Sequence, residues 1–172
     1  MFENKKILIL GMARSGYEAA KILVKKNNKV ILNDLGKEEK QNSEQVKELR
    51  DLGVELIFGS HPDDLLDTSF NYLIKNPGIA IDHKYVLRAK ELGIEVINEV
   101  EMTYRLLPKD VTLVGITGTN GKTTTTSLIG QILRAYFDSS FVVGNIGIPY
   151  TKMVTKTRNN SVTVAEISSF QL

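Results

Sequence analysis

Short apolar runs alternate with helical patterns from residue 5 to about residue 107. Lys6 to Leu10 is almost uniformly apolar, which is typical of a strand buried on both faces of a sheet. Apolar residues then recur at the spacing of one helix face, at Ala19, Ala20, Leu23 and Val24. Four further strands are predicted, at Val30–Asn33, Val54–Phe58, Tyr72–Lys75 and Ile94–Ile97. The alternation predicts an α/β fold, a Rossmann-like parallel sheet with helices on its faces.

Local signals predict where the helices begin and end. Ser43 is expected to cap the N-terminus of one helix, and Gly53 permits its left-handed C-terminal turn. A second helix is predicted from Asp82 to Leu92, and it is again followed by a glycine, Gly93. Asn76-Pro77-Gly78 predicts a tight turn after the strand that precedes it.

Pro108-Lys109-Asp110 is predicted to be a linker that divides the chain into domains 1–108 and 109–172. The second domain has the predicted strands Val111–Thr117, Phe141–Val143 and Val162–Ile167, with one long helix that ends near Phe137. A complete parallel α/β domain normally contains more strands than these. We therefore expect the chain to be a fragment that ends inside a phosphate-loop α/β domain.

Composition excludes several classes of protein. The net charge is +2, from 22 Lys and Arg against 20 Asp and Glu, which does not indicate a nucleic-acid-binding protein. No apolar run approaches the roughly 18 residues of a membrane span. Cysteine is absent, which excludes disulfides and thiolate chemistry. The two histidines, His61 and His83, are expected to be surface residues rather than catalysts. We expect a cytoplasmic monomer.

The run from Gly118 to Thr124 lies between a β-branched strand and a helix with an apolar face. This order directs backbone N–H groups and a helix N-terminus at one place, where a phosphate chain can bind. Lys122 can reach the β- and γ-phosphates, and the Thr123 hydroxyl can hold Mg²⁺. Ile116 stands where the strict phosphate-loop pattern has its first glycine. The alternative is a flexible polar turn with a surface lysine, but the strand and helix on either side favour nucleotide triphosphate binding.

Gly11-Met12-Ala13-Arg14-Ser15-Gly16 is nearly a dinucleotide-binding motif, and Asp34 follows at the end of the next strand. Ala13 replaces the glycine that lets the backbone approach a pyrophosphate. One interpretation is a nucleotide-like ligand, with Asp34 accepting a hydrogen bond from a ribose or uracil edge. The other is a tight turn between strand and helix that binds no ligand.

Two further groups follow predicted strands of the second domain. Glu166 can hold a Mg²⁺ ion that bridges phosphates, and the alternative is a carboxylate paired with a nearby lysine. Gly144-Asn145-Ile146-Gly147 places a carboxamide between two glycines at the end of a neighbouring strand. Ligand groups collect outside the carboxyl ends of the strands in open parallel sheets.

Three motifs together resemble the Mur ligases, the ATP-dependent amide-forming enzymes of peptidoglycan assembly. They are Gly115 to Thr124, Gly144 to Gly147, and Glu166-Ile167-Ser168-Ser169-Phe170-Gln171-Leu172. The last is similar to the family member that adds D-glutamate. Gly11 to Gly16, Asp34 and Asn76-Pro77-Gly78 also match that member. The resemblance therefore spans the chain.

The resemblance implies that ATP phosphorylates the carboxylate of UDP-N-acetylmuramoyl-L-alanine and that the amine of D-glutamate attacks the acyl phosphate. Lys122 and Glu166 would be catalytic, and Thr123 and Glu166 would hold Mg²⁺. ATP would bind to Gly118, Thr119, Asn120, Gly121, Lys122, Thr123 and Thr124. The uridine diphosphate would contact Arg14, Ser15, Asp34 and Gly78, and the muramoyl part would contact Asn145, Ser168 and Gln171.

Two expectations concern the chain by itself. A fragment with half a central domain is expected to have no ligase activity and to bind ATP weakly. Two other functions stay open, a stand-alone nucleotide-binding module without catalysis and an NAD-dependent oxidoreductase built on the first domain. Ala13 and the phosphate loop both count against the oxidoreductase.

Overall fold

The structure is a computed structural model that describes residues 2–168. The chain forms two compact units, Met1–Met102 and Thr103–Leu172. Its α-helices are α1 (Arg14–Val24), α2 (Ser43–Asp51), α3 (Lys84–Glu91), α4 (Glu99–Leu106) and α5 (Lys122–Tyr136). Short 3-10 helices lie at Glu38–Lys40 and Tyr150–Thr155.

The first unit contains a five-stranded, fully parallel sheet, which confirms the predicted Rossmann-like α/β fold. Its strands are β1 (Lys6–Leu10), β2 (Lys29–Asp34), β3 (Glu55–Phe58), β4 (Tyr72–Lys75) and β5 (Glu95–Asn98). They lie in the order β3-β2-β1-β4-β5. The order reverses between β1 and β4, and such a switch point opens a crevice at the carboxyl ends of the two strands.

The central strand and the helix after it are buried as their sequence patterns predict. Residues 7–10 of β1 are completely buried, because β1 has a strand on each side and helices on the faces of the sheet. Ala19, Ala20 and Leu23 of α1 are also completely buried. The hydrophobic face that the spacing predicts is therefore the face that packs on the sheet.

Two predicted helix starts are wrong by one or two residues. Asn42, and not Ser43, caps α2, since its Oδ1 accepts a hydrogen bond from the Gln45 N–H at 3.0 Å. His83 caps α3 through its Nδ1, so this helix begins after the predicted Asp82. Both corrections have one cause, which is that several neighbouring polar residues can act as caps and only the backbone path selects one.

The second unit contains a three-stranded parallel sheet. Its strands are β6 (Thr112–Ile116), β7 (Ser140–Gly144) and β8 (Val162–Glu166), in the order β6-β8-β7. Helix α5 packs closely against this sheet at Gly130, where an added Cβ would lie 2.3 Å from Val142 Cγ2. The same helix leaves Leu128, Ile132 and Tyr136 exposed.

Candidate functional site

Each unit carries a candidate site at the carboxyl ends of its strands. In the first unit, the loop after β1 turns sharply into α1. A Cβ on Gly16 would lie only 2.0 Å from the carbonyl oxygen of Gly11, so no other residue fits this approach. Gly11 itself has φ +91, a conformation that favours glycine. The loop therefore has the tight form that a phosphate-binding turn between strand and helix requires.

Asn76 fastens this loop to the end of β4. Its Nδ2 donates to the carbonyl oxygen of Gly11 at 2.9 Å, and its Oδ1 accepts from the Ser15 hydroxyl at 3.0 Å. The side chain is 6% exposed, so these bonds are shielded from water. The sequence indicated Asn76 only as part of a turn. Its position directly after a buried strand, on the edge where the glycine loop lies, is the signal that was missed.

Asp34 holds the protein's own backbone around the crevice. Its Oδ2 accepts from the Met12 N–H at 2.6 Å, and its Oδ1 accepts from the Gly36 N–H at 2.7 Å. Gln41 Nε2 lies 3.3 Å from the same Oδ1. A carboxylate offers about four acceptor positions, so these bonds leave capacity for a ligand donor.

Arg14 and Gly78 are the other first-unit residues that the sequence singles out. Arg14 is exposed at the first position of α1. Gly78 is exposed after the Asn76 turn, and a Cβ placed on it would meet no atom of the described chain within 4 Å. The structure thus brings Arg14 and Ser15 to the loop after β1, and Asp34 and Gly78 to the ends of the neighbouring strands.

The two histidines are half-buried at the surface of the first unit, and their rings contact each other. Their ring centroids lie 4.9 Å apart, edge to face. Burial lowers the pKa of His83, and the Lys84 cation lowers it further. Burial, His83 and Lys84 lower the pKa of His61, whose Nδ1 lies 2.5 Å from Asn33 Oδ1. Both rings therefore favour the neutral form.

The phosphate loop of the second unit is open to solvent. Residues 117–121 are exposed, and Gly118 and Gly121 have φ values of +149 and +76 that favour glycine. Lys122 Nζ donates to the carbonyl oxygens of Gly118, at 2.6 Å, and Thr119, at 3.4 Å. The lysine amine therefore lies against the loop backbone, and Thr123 and Thr124 are exposed in the first turn of α5.

Side-chain capping separates the two candidate sites from the starts of the other α-helices. Helices α1 and α5 begin after Ala13 and Gly121, and neither has a side-chain cap. The side chains of Asn42 and His83 do cap α2 and α3. An uncapped first turn leaves backbone N–H groups available, and the helix dipole makes them attractive to an anion. Among the α-helices within residues 2–168, the two that begin without a side-chain cap are those that follow the glycine loops.

Glu166 ends β8 beside the phosphate loop. The register of β6 and β8 pairs Ile116 with Glu166, and Ile116 lies just before the loop. Glu166 is 5% exposed, and its Oε2 has no hydrogen-bond partner within residues 2–168. The predicted alternative of a pairing with lysine is thus not found among those residues. A buried carboxylate oxygen without a partner is costly, and a cation would relieve that cost.

The loop of Gly144 to Gly147 lies directly against Glu166. The Asn145 N–H donates to the carbonyl oxygen of Glu166 at 3.3 Å, and the Asn145 residue is exposed. Ser168 is half-buried two residues after β8. Gln171 lies outside the described residues. The structure therefore joins Asn145 and Glu166, the predicted muramoyl and metal residues, at one edge of the second sheet.

A groove of about 600 Å³ runs beside α5 and β7 in this unit. Polar helix residues line one side and apolar residues line the other, among them Thr123, Ser127, Gln131, Phe141, Ile146 and Ile148. Because Thr123 belongs to the first turn of α5, the groove begins at the phosphate loop.

Magnesium is compatible with these residues when it is accompanied by phosphates. Within the described part of the chain, no group of three or more His, Cys, Asp or Glu side chains could hold a metal ion. Mg²⁺ usually keeps several waters and needs only one or two carboxylates in addition to phosphate oxygens. Glu166 and the Thr123 hydroxyl supply a donor set of that kind. None of the helices within residues 2–168 is long and apolar enough to cross a bilayer.

A parallel sheet with a switch-point crevice, joined in one chain to a phosphate-loop unit, defines a class of α/β nucleotide-binding proteins. Comparison with protein families identifies the particular one. Residues 5–98 match the family model "Mur ligase MurD-like, N-terminal domain", and residues 116–172 match "Mur ligase middle domain". The chain belongs to the Mur ligase family.

Curated relatives and solved structures agree with this result. The chain is 45% identical over 171 residues to the UDP-N-acetylmuramoylalanine–D-glutamate ligases of Streptococcus pyogenes serotypes M1 and M49. The alignment covers 99% of this chain and 37% of each relative, so the chain spans little more than a third of their length.

Among solved structures, a pseudomurein peptide ligase type C from Methanothermus fervidus matches at TM-score 0.51 and 27% identity, over 98% of this chain and 34% of that one. The UDP-N-acetylmuramate:L-alanyl-gamma-D-glutamyl-meso-diaminopimelate ligase from Neisseria meningitides matches at TM-score 0.56 and 19% identity, over 94% and 52%. At that identity the second likeness concerns the fold alone.

Proposed function

We propose that this chain supplies the uridine-nucleotide-binding and ATP-binding parts of a cytoplasmic ligase that joins D-glutamate to UDP-N-acetylmuramoyl-L-alanine. Residues 1–108 would form the domain that binds the uridine nucleotide, and residues 109–172 would belong to the ATP-binding domain. The observation that carries the proposal is that the two glycine loops lead into the two helices without side-chain caps. The similarity to D-glutamate ligases supports the choice of substrates.

In the first unit, the free N–H groups at the start of α1 would bind the diphosphate, with the Arg14 guanidinium adding positive charge. Asp34 would accept a hydrogen bond from the uridine. Ser15 would hold the loop in shape through Asn76 as well as lie near the ligand. Gly78 would leave room for the nucleotide, since a Cβ there meets nothing in the described chain.

In the second unit, the loop amides from Gly118 to Thr124 and the Lys122 amine would hold the phosphates of ATP, while Thr123 and Glu166 would hold Mg²⁺. When bound, ATP supplies the phosphoryl group that activates a carboxylate. Lys122 would offset the negative charge on the phosphates. Asn145, Ser168 and Gln171 would contact the muramoyl part of the substrate. Asn145 lies beside Glu166. The substrate carboxylate that ATP would phosphorylate has to lie near the same residues.

Ligand-dependent stability tests this proposal, because a ligand that binds only the folded chain raises its free energy of unfolding. Urea unfolding is followed with MgATP, UDP-N-acetylmuramoyl-L-alanine or NAD in excess. We expect stabilisation by the first two and none by NAD. Stabilisation by NAD alone would indicate the oxidoreductase, and no effect of any nucleotide would refute the proposal.

A pair of lysine variants locates the ATP site. Lys122→Met removes the amine in the loop, and Lys109→Met removes an exposed amine from the segment before β6. In Lys122→Met we expect MgATP to stabilise the chain less, by an amount that corresponds to a Kd at least about tenfold higher, because the variant loses a charge-assisted contact. Lys109→Met is expected to match the unaltered chain.

A further inference from the structure

The phosphate loop contains the one Asn-Gly pair of the sequence, Asn120-Gly121. Asparagine followed by glycine is the dipeptide most open to deamidation, because glycine has no side chain to shield its backbone nitrogen. The reaction also requires that the two residues can move relative to each other.

The structure meets both requirements. Asn120 and Gly121 are exposed, and the Asn120 side chain forms no hydrogen bond with any residue of the described chain. The Gly121 N–H takes part in no backbone hydrogen bond within residues 2–168. A Cβ built on Gly121 would meet no atom within 4 Å. Nothing in the described chain therefore holds the amide nitrogen away from the side chain.

A second candidate pair, Asn160-Ser161, is held in place. The Ser161 N–H donates to the carbonyl oxygen of Arg158 at 3.1 Å, and Ser161 is completely buried. The Ser161 hydroxyl also accepts from the Arg158 N–H at 3.0 Å. These bonds must open before the nitrogen can attack, so Asn160 serves as an internal control.

We propose that Asn120 is a deamidation site whose product disables the phosphate loop. The deprotonated nitrogen of Gly121 attacks Cγ of Asn120, and an N–Cγ bond forms as the Cγ–Nδ2 bond breaks. The side-chain nitrogen leaves as ammonia and takes up the proton that the backbone nitrogen gave to solvent. Water then opens the cyclic imide. Opening at Cγ gives aspartate, and opening at the Asn120 backbone carbonyl gives isoaspartate.

Either product changes the loop in the direction that opposes anion binding. Aspartate adds a negative charge between Thr119 and Gly121, in the loop that the proposed function assigns to the phosphates of ATP. Isoaspartate lengthens the backbone by one carbon and displaces Gly121 from the start of α5. This part of the inference rests on the proposed function, whereas the conversion of Asn120 does not.

Peptide mapping measures the conversion directly. The full chain is kept in mildly alkaline buffer and then digested with trypsin, which cuts after Lys109, Lys122 and Arg158. Mass spectrometry follows the amide-to-acid mass increase in peptide 110–122 and in the peptide that begins at Asn159. We expect Asn120 to convert at least about fivefold faster than Asn160, whose neighbour must first break a hydrogen bond. Equal rates, or no conversion at Asn120, would overturn the proposal.

A second experiment, binding to immobilised ATP, tests whether the conversion of Asn120 disables the phosphate loop. Aged chain is passed over immobilised ATP with Mg²⁺, and bound and unbound fractions are mapped. We expect the converted form to collect in the unbound fraction and Asn120→Asp to behave like it. Retention of both forms would overturn the claim that conversion disables the loop. If fresh chain is not retained, the proposed ATP site is wrong, while the mapped rates still decide the deamidation. Asn120→Gln is the chemical control, since it cannot form the five-membered ring.

Discussion

The backbone N–H of Met12 donates a hydrogen bond to Asp34 Oδ2 across 2.6 Å, although the residues are 22 positions apart. The carboxylate thereby joins the loop after β1 to the end of β2. Asp34 also accepts from the Gly36 N–H. The Asp34 side chain therefore fixes the positions of two backbone segments that border the crevice, at Met12 and at Gly36.

Replacement of Asp34 by alanine should destabilise the first unit. It leaves the N–H of the buried residue Met12 without an acceptor, and we expect a loss of about 2–3 kcal/mol in the free energy of unfolding, measured with urea. Asp34→Asn keeps one acceptor oxygen and should lose about half as much. Asp51→Ala, an exposed change at the end of α2, should stay within about 0.5 kcal/mol. If the Asp34 and Asp51 variants were equally stable, the Met12 bond would not matter for folding.

Two glycine-to-alanine changes should differ sharply. In Gly16→Ala the new Cβ would overlap the Gly11 carbonyl, so we expect a cost of about 3 kcal/mol or more. Gly78→Ala has free space and should change the free energy of unfolding by less than about 0.5 kcal/mol. Thermal unfolding of both variants checks this pair. Similar melting temperatures would contradict the close approach of α1 to the loop.

The half-buried histidines should make the chain less stable in mild acid. Their folded pKa values are lowered, so the unfolded chain takes up protons first as the pH falls below about 6.5. The free energy of unfolding should therefore decrease between about pH 7 and pH 5. Protonation of His83 at Nδ1 also removes the acceptor that caps α3.

The variant His83→Asn separates this effect from the acid loss of carboxylate contacts. Asparagine is a good cap that does not titrate, so the decrease between about pH 7 and pH 5 should become smaller. His61 retains a part of it. Urea unfolding of the two proteins over this range is the measurement, and identical pH dependence would exclude His83 as a source.

Glu166→Gln should act in opposite directions on stability and on ligand binding. Neutralising a buried oxygen that has no partner in the described chain should raise the free energy of unfolding by about 1 kcal/mol without ligand. The same change removes a proposed Mg²⁺ ligand and should weaken the stabilisation by MgATP. Asp138→Gln, which is exposed after α5, is the control. A variant that is less stable without ligand would show that the carboxylate has another structural role.

The repeating features of the fold were predictable because their signals are local. Strands β1 and β4 have the predicted bounds, and the other six strands differ by one residue at one or both ends. Gly53 and Gly93 adopt the left-handed conformation that their positions predict. Apolar runs and glycine turns depend on neighbours in sequence, so a single sequence is sufficient to find them.

The features that were missed depend on contacts or on weak local patterns. Helix α4 begins directly after β5, and the signal for it was the pair Asn98 and Glu101, since Asn98 Oδ1 accepts from the Glu101 N–H at 2.8 Å. The 3-10 helix at Tyr150–Thr155 has no periodic pattern to detect. The bonds of Asn76 and Asp34 join residues distant in sequence, and only the sheet order brings them together.

The contact between Gly130 and Val142 has a consequence far from where it occurs. A helix behaves as a stiff rod, and Gly130 lies about 12 Å along its axis from Lys122. Any side chain at Gly130 would lift that point of the rod from the sheet and tilt the end that carries the phosphate loop. Gly130 therefore sets the orientation of the phosphate loop relative to the sheet from a position far from the loop. A substitution at this buried residue would change the affinity for nucleotide.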